Sequence, residues 1–527
     1  MMSLATLAFA LLATLVILHD FIKQFWCKSV QGKSKWYPLP PGPAPWPVVG
    51  CALEVLWNKP AGRWILRWME EIDTNIACFR IGNTNVIPVT DPKIAREFLM
   101  KQDATFISRP VSMAAQAFSG SYKTAVISPY GEQWKKMRRV LTSEIICPAR
   151  HKWLHDKRAE EADNLVKHVF NQCKSLGQVD LRLTTRHYCG NVIRRLVFDK
   201  RYFGKGREDG GPTIDEEQHV DALFDSLNYL YAFCVSDYFP FLVGLDLDGH
   251  EKVVKNCVRT FRRLHEPIIN ERIKQWRDNS SSESNGKEPQ DLLDVLILLK
   301  DSKGEPLLTP HEVKSQATEI LMAAVDNPSN AVEWAMAEMI NRPELIKKAK
   351  EEIDRVVGKE RLVQESDIPQ LKYIKACARE AFRLHPIAPF NVPHVALSDA
   401  VVAGYHIPKG SHILLSRWGL GRNSKVWDEP LEFKPERHIM SDTVEVVLTE
   451  PNLRFISFST GRRGCIAAQL GTAMTVILLA RLIQGFEWSM PPNVDSINLN
   501  ESRFDLSLAK PLVLQAEPCL ADHLYPK

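Results

Sequence analysis

The stretch FSTGRRGCIA, Phe458 to Ala467, gathers residues that could do chemistry on sulfur. Gly461 and Gly464 free the backbone to turn tightly around Cys465. Arg462 and Arg463 supply cationic donors. The apolar helix expected after Cys465 would aim its N-terminal amides and positive dipole end at the thiol. Each of these features favours a thiolate. Three readings stay open: an axial iron ligand, a nucleophile, or a buried structural cysteine, the commoner fate of a lone Cys. No oriented base can be named for the nucleophile.

Three further pieces could belong with it. Glu380 and Arg383 are neighbours at i, i+3 on an expected helix, and FKPERH (433–438) offers Arg437 as a further partner for the carboxylate. Alone, Glu380–Arg383 is a surface ion pair worth little. WKKMRR (134–139) sets Trp134 and Arg138 one helical turn apart on one face. LMAAVDNPSNAVEW (321–334) puts Asn327 and Pro328 inside a run of good helix formers. An interior proline costs roughly 3 kcal/mol. It frees the carbonyl of Ala324, its i−4 partner, and is expected to bend the helix. The bland reading is a tolerated kink.

Together, in this order, these elements resemble the cytochrome P-450 superfamily of haem-thiolate monooxygenases, over nearly the whole chain. The cysteine loop is close to F-x-x-G-x-R-x-C-x-G, with Ala467 in place of the last glycine. The resemblance implies a mainly α fold with small β-sheets (α+β). It implies haem b with Cys465 as axial ligand, O2, and electrons from NADPH through a flavoprotein reductase. Glu380, Arg383 and Arg437 would brace the cysteine loop. Trp134, Arg138 and Arg463 would contact the haem propionates. His394, in FNVPH, stands where many members have an arginine doing the same work. Asp326 keeps the acid of the family's oxygen-groove helix. Asn327 replaces the threonine that relays protons during oxygen activation, and an amide is a poor proton shuttle. Ordinary C–H hydroxylation is therefore the weaker reading.

DNPSNAVEW, SFSTGRRGCIA, PERH, SPYGEQWKKMRRVLTSEIICP and FRLHPIAPFNVPHVAL are similar to the plant amino-acid N-monooxygenases that make aldoximes. That implies two N-hydroxylations of an L-amino acid, then dehydration and decarboxylation to an (E)-aldoxime, as in cyanogenic glucoside or glucosinolate biosynthesis. YAFCVSDY looks most like members acting on aromatic amino acids, so phenylalanine is expected first and tyrosine second. Valine, isoleucine, tryptophan or a methionine homologue are the alternatives. Family position sets Phe118, Phe390 and Asn391 over the haem, although both phenylalanines could equally be core. Arg109, Lys123 and Arg417 are candidates for holding the substrate carboxylate. A membrane-anchored scaffold without catalysis is the non-enzyme alternative.

The elements that must position these groups are also legible. Thr309-Pro310-His311-Glu312 is a strong helix start, with Thr at the N-cap, Pro at N1 and Glu at N3. The pattern runs to Asn341, so Asn327-Pro328 lies mid-helix. ACFRIGNTNVIPVTDP reads as a hairpin turning at Gly82-Asn83, after which Asp91 caps a helix. Helices are expected from there to about residue 395, then a strand-rich patch over 388–416. DNSSSESNGKEPQ (278–290) is read as a mobile polar loop.

The chain has 527 residues, 45% hydrophobic and 25% charged. A surplus of 67 − 63 = +4 gives no case for nucleic-acid binding. Eleven scattered cysteines argue against a disulfide framework or a structural zinc site. Leu4 to Leu18 is apolar apart from two threonines, and Lys23, Lys28, Lys33 and Lys35 follow. That order suits a retained anchor over 1–22 better than a cleaved signal. A basic and proline-rich hinge, 23–50, would lead to one catalytic domain, 51–527, on the cytosolic side of the endoplasmic reticulum membrane.

Overall fold

The computed structural model of the chain describes residues 37–230, 232–277, 288–441, 443–502 and 505–526. The expected anchor, the hinge up to residue 36 and most of the polar stretch 278–290 lie outside them.

In chain order the main helices are α1 (Ala61–Glu71), α2 (Glu132–Val140), α3 (His155–Leu176), α4 (Leu181–Phe198), α5 (Ile214–Leu230), α6 (His250–Arg277), α7 (Pro310–Ile340), α8 (Pro343–Val356), α9 (Lys372–Leu384) and α10 (Ala468–Gly485). α7 begins as its sequence demands. Glu312 N donates to Thr309 Oγ1 (3.2 Å) and Thr309 N to Glu312 Oε2 (2.8 Å), a reciprocal cap. It then runs to Ile340 unbroken at Pro328. Buried on almost every side, it takes the centre of the molecule and packs against α4, α5, α6, α8, α9 and α10. α10 is long and apolar enough to cross a membrane, yet 72% of it is buried inside the protein, so it is a core helix.

Three small sheets complete the fold. The strands are β1 (Phe79–Ile81), β2 (Thr84–Val89), β3 (Gln178–Asp180), β4 (His394–Val395), β5 (Ala400–Val402), β6 (Tyr405–Ile407), β7 (His412–Leu415), β8 (Phe486–Ser489) and β9 (Val513–Pro518). The first sheet has the order β1-β2-β7-β4, with the β1–β2 hairpin antiparallel, β2 parallel to β7 and β7 antiparallel to β4. β3, β9 and β8 form the second sheet, and β5 and β6 a hairpin. The proline-rich stretch is non-helical, ends in a turn at 46–50 and is fastened to the body: Cys78 N donates to Pro41 O (2.8 Å) and His406 N to Pro38 O (2.8 Å). β4 delivers His394, and the chain leaving β7 delivers Arg417.

Candidate active site

The cysteine loop is a tight turn locked from several directions. Cys465 N donates to Phe458 O (2.8 Å) and Gly464 N to Gly461 O (3.0 Å). Gly461 has φ +73°, and a Cβ there would lie 2.4 Å from Leu99 O, so only glycine fits. Burial pushes the Cys465 thiol up, while the Ala467 N–H at the start of α10 and the charges of Arg138 and Arg417 favour its thiolate. This corrects the expectation for Arg462 and Arg463. Arg462 instead pairs with Asp103 (3.3 Å), and Arg463 donates to Ile107 O (2.7 Å) and Ser128 O (2.8 Å). The Cys465 side chain is exposed, although protein surrounds it closely enough to desolvate the thiol.

Other predicted residues gather around that loop. Arg138 Nη2 donates to Gly464 O (2.8 Å), which joins α2 to the residue before Cys465. The Arg463 guanidinium lies 4.3 Å from the centre of the Trp134 ring. Trp134 Nε1 is buried without a hydrogen-bond partner. His394 Nδ1 bonds to Phe106 O (2.7 Å), while its Nε2 is buried and unpartnered. Burial, then the charge of Arg109, holds the His394 imidazole well below its ordinary pKa. It is therefore neutral and brings no fixed charge.

α7 contributes a second accessible surface. Its flanks are buried, but Ala323 is exposed and Ala324 and Asn327 are half-buried, at i, i+1 and i+4 on one face. On the most central helix, an accessible stripe of this kind faces a cavity. Asp326 turns the other way. It accepts from Asn330 Nδ2, and burial pushes its carboxyl up to about 7, against the charges of Arg186 and Arg417. Ser329 Oγ donates to Val325 O (2.8 Å) and Asp326 O (3.0 Å) beside Pro328.

Of the three cations proposed for a substrate carboxylate, only Arg417 joins this group. Arg109 is spent on Val392 O (2.9 Å) and Pro393 O (2.7 Å). Lys123 is half-buried on the loop before α2. Arg417 is held by main-chain pairing, its N donating to Pro389 O (2.8 Å) while Asn391 N donates to Leu415 O (2.8 Å). Its Nη2 donates to Asn391 Oδ1 (3.3 Å), and its Nε has no partner. Burial lowers its pKa to about 10, opposed by the negative charges of Asp326 and Cys465, so it stays cationic at neutral pH. Phe390 bridges to Ser416 and packs near Gly62 on α1. Phe118 is buried against Phe261, with ring centres 6.3 Å apart.

Behind the loop, Glu380 and Arg383 are completely buried, and their pairing is bidentate at 2.7 Å on both oxygens. Arg437 Nε (2.9 Å) and Lys434 N (2.9 Å) also donate to Oε1, and His438 Nε2 lies 2.7 Å from Oε2. Burial pushes the Glu380 carboxyl up, but these donors, led by Arg383 and His438, hold it down at about 2. Arg383 also donates to the carbonyls of Gly421, Pro430 and Glu432. His438 had been visible only as the last letter of PERH. Its partner is fifty-eight residues away in sequence.

The family model for cytochrome P450 matches residues 40–515. The chain belongs to the cytochrome P450 family. A tyrosine N-monooxygenase of Sorghum bicolor is 62% identical over 493 residues, covering 93% of this chain and 88% of the relative. A valine N-monooxygenase of Manihot esculenta is 59% identical over 498 residues, covering 94% and 91%. A phenylalanine N-monooxygenase of Prunus mume is 55% identical over 534 residues, covering 99% of each. A zebra fish cytochrome P450 solved with abiraterone shares the fold, with a TM-score of 0.69 at 23% identity, over 88% of this chain and 100% of that one. The chain is thus a haem-thiolate amino-acid N-monooxygenase, a cytochrome P450 that depends on haem iron, O2 and electrons from a reductase. Its residues fit that group. A deep-lying but accessible thiol suits a metal. The unpartnered Trp134 Nε1, Arg417 Nε and His394 Nε2 are what an amphipathic ring with two carboxylates would engage.

Proposed function

We propose that the chain converts an L-amino acid, phenylalanine first and tyrosine second, to its (E)-aldoxime, with Cys465 as the axial thiolate of haem b. Trp134, Arg138, His394 and Arg463 hold the propionates, and Glu380, Arg383 and Arg437 brace the cysteine loop. Haem held there would supply the reductive activation of O2 needed for one N-oxygenation in each of two rounds. The electrons come from NADPH through a flavoprotein reductase.

The observation that carries the reading is Arg417, a half-buried cation whose charge is felt at both Cys465 and Asp326. Its guanidinium binds the substrate carboxylate and turns the α-amine toward the sulfur side of the cavity. Asn391 orients Arg417 (3.3 Å), and Phe390 closes the site on that side. Asn327 offers an amide donor from α7, and Pro328 leaves the Ala324 carbonyl as a free acceptor. When the dihydroxylated amine collapses, the bond from Cα to the carboxylate breaks. Its electron pair forms C=N, and one N–OH leaves as water, taking up a proton from the medium. Carbon dioxide and the aldoxime are released.

The aromatic preference draws support from the relatives named for tyrosine and phenylalanine. Other relatives are named for valine, tryptophan and isoleucine. Residues 1–22 are assigned as a single anchor in the endoplasmic reticulum membrane, 23–50 as the connector and 51–527 as the cytosolic catalytic domain. Exposed Phe241, Val243, Leu245 and Leu247 support a second contact with that membrane.

Microsomes holding the chain and a reductase, fed labelled amino acids, test the reading. Labelled aldoxime from phenylalanine is expected, and none from any amino acid would end it. Cys465→Ser should abolish the thiolate-haem band of the reduced, CO-bound protein. A variant that kept the band would refute the ligand assignment.

A further inference from the structure

None of the residues lining a cleft of about 450 Å³ at the start of α1 belongs to the site above. Lys59, Arg63 and Arg67 line it with Trp57, Trp64 and a single acid, Glu501. That acid is already neutralised. It accepts from Arg422 Nη2 (2.5 Å), Arg63 Nη2 (3.3 Å) and Trp418 Nε1 (3.2 Å). Arg63 lies over the Trp418 ring, 4.7 Å from its centre. Lys59 and Arg67 are exposed and form no ion pair among the described residues. The cleft therefore presents uncompensated positive charge.

Its rim is apolar where a surface should be wet. Trp57 is 73% exposed and Phe241 80%, with Val48, Val243, Leu245 and Leu247 also in the open. The two segments adjoin: Phe239 and Leu242 pack into the same small core as Ala52, Val55 and Ile65, and His250 feels the charge of Lys59. A tryptophan between a cationic cleft and an apolar rim suits a boundary between headgroups and hydrocarbon. Planar guanidiniums on successive turns of α1 suit a phosphate.

We propose that this cleft binds the headgroup of an anionic phospholipid. The phosphate lies among Lys59, Arg63 and Arg67, and the acyl chains run toward Trp57 and the Phe241–Leu247 rim. The proposal rests on the membrane contact proposed above. The charge balance here, three cations to one spent acid, is what selects an anionic over a zwitterionic lipid.

Hydrogen exchange of the full, haem-loaded chain in nanodiscs tests it. Residues 57–67 should gain protection when phosphatidylserine is added to phosphatidylcholine. In Lys59→Ala/Arg67→Ala that gain should weaken by roughly tenfold or more, since each basic residue near an anionic surface contributes about a factor of five. The CO-bound spectrum should not change, and Lys59→Gln provides a milder variant with the same expected direction. Equal protection in both kinds of disc would overturn the proposal, as would the same protection from inorganic phosphate without lipid. If 241–247 gains no protection in any disc, the membrane contact itself fails. If 241–247 is protected but 57–67 ignores the anionic lipid, only the headgroup site fails.

Discussion

At Cys465 the local sequence announces the chemistry, while at Arg417 it does not. The glycines, the cysteine and the following helix lie within ten residues, so their joint effect on sulfur can be read from the order of letters. The cations that act on that sulfur come from Arg138 and Arg417, far away in the chain, and adjacency wrongly suggested Arg462 and Arg463. Arg417 matters because main-chain pairing at Pro389 and Asn391 carries it there, and no local pattern encodes that pairing. Arg417→Ala is expected to raise KM for the amino acid by roughly 10- to 100-fold, the worth of a charged hydrogen bond. Steady-state assays and amino-acid-induced shifts of the haem spectrum check it. Asp326 gives a pH signature. Its carboxyl titrates at about 7 when folded against 3.8 ordinarily, so the folded chain keeps a proton that the unfolded chain has lost. Its contribution to stability falls as pH rises from about 4 to about 7 and stays low above. Asp326→Asn should therefore be more stable than the parent at pH 8, by on the order of 2–4 kcal/mol, with the gap closing near pH 4. Thermal unfolding at both pH values measures it.

At the scale of elements, α7 was readable because its start obeys a local rule and its length follows from an uninterrupted pattern. The proline at 328 does not end it. Packing on the surrounding helices holds the helix through the lost hydrogen bond, and no single-helix rule contains those neighbours. The link between α9 and the segment 421–438 was half readable. Glu380, Arg383 and Arg437 were visible as charges, but only burial turns them from a surface pair into a joint. Lys434 N and His438 complete it from residues whose letters carry no such signal. Glu380→Gln should leave Arg383 and Arg437 poorly compensated inside the protein and cost on the order of 3–5 kcal/mol. The measurement is thermal unfolding together with the rate of haem loss, and an unchanged melting point would contradict the bracing role.

Over the whole molecule, helices cluster around α7 and the three sheets lie to their sides, an arrangement the mainly α reading anticipated. Sheet order and strand register were not legible, since they depend on partners hundreds of residues apart. The described residues from 37 onward build the core by themselves. A chain lacking residues 1–36 is accordingly expected to keep the CO-bound thiolate band while moving from the membrane pellet toward the soluble fraction. Spectra and sedimentation report the two effects separately. The second sheet has a consequence for how the protein is made. β3 pairs with β9, residues Val513 to Pro518, so its partner leaves the ribosome more than three hundred residues after it. Cys465 and α10 also emerge late. Haem held through Cys465 therefore cannot be captured until synthesis has passed that residue, and a translation arrest before Cys465 would leave helices with no thiolate to hold it.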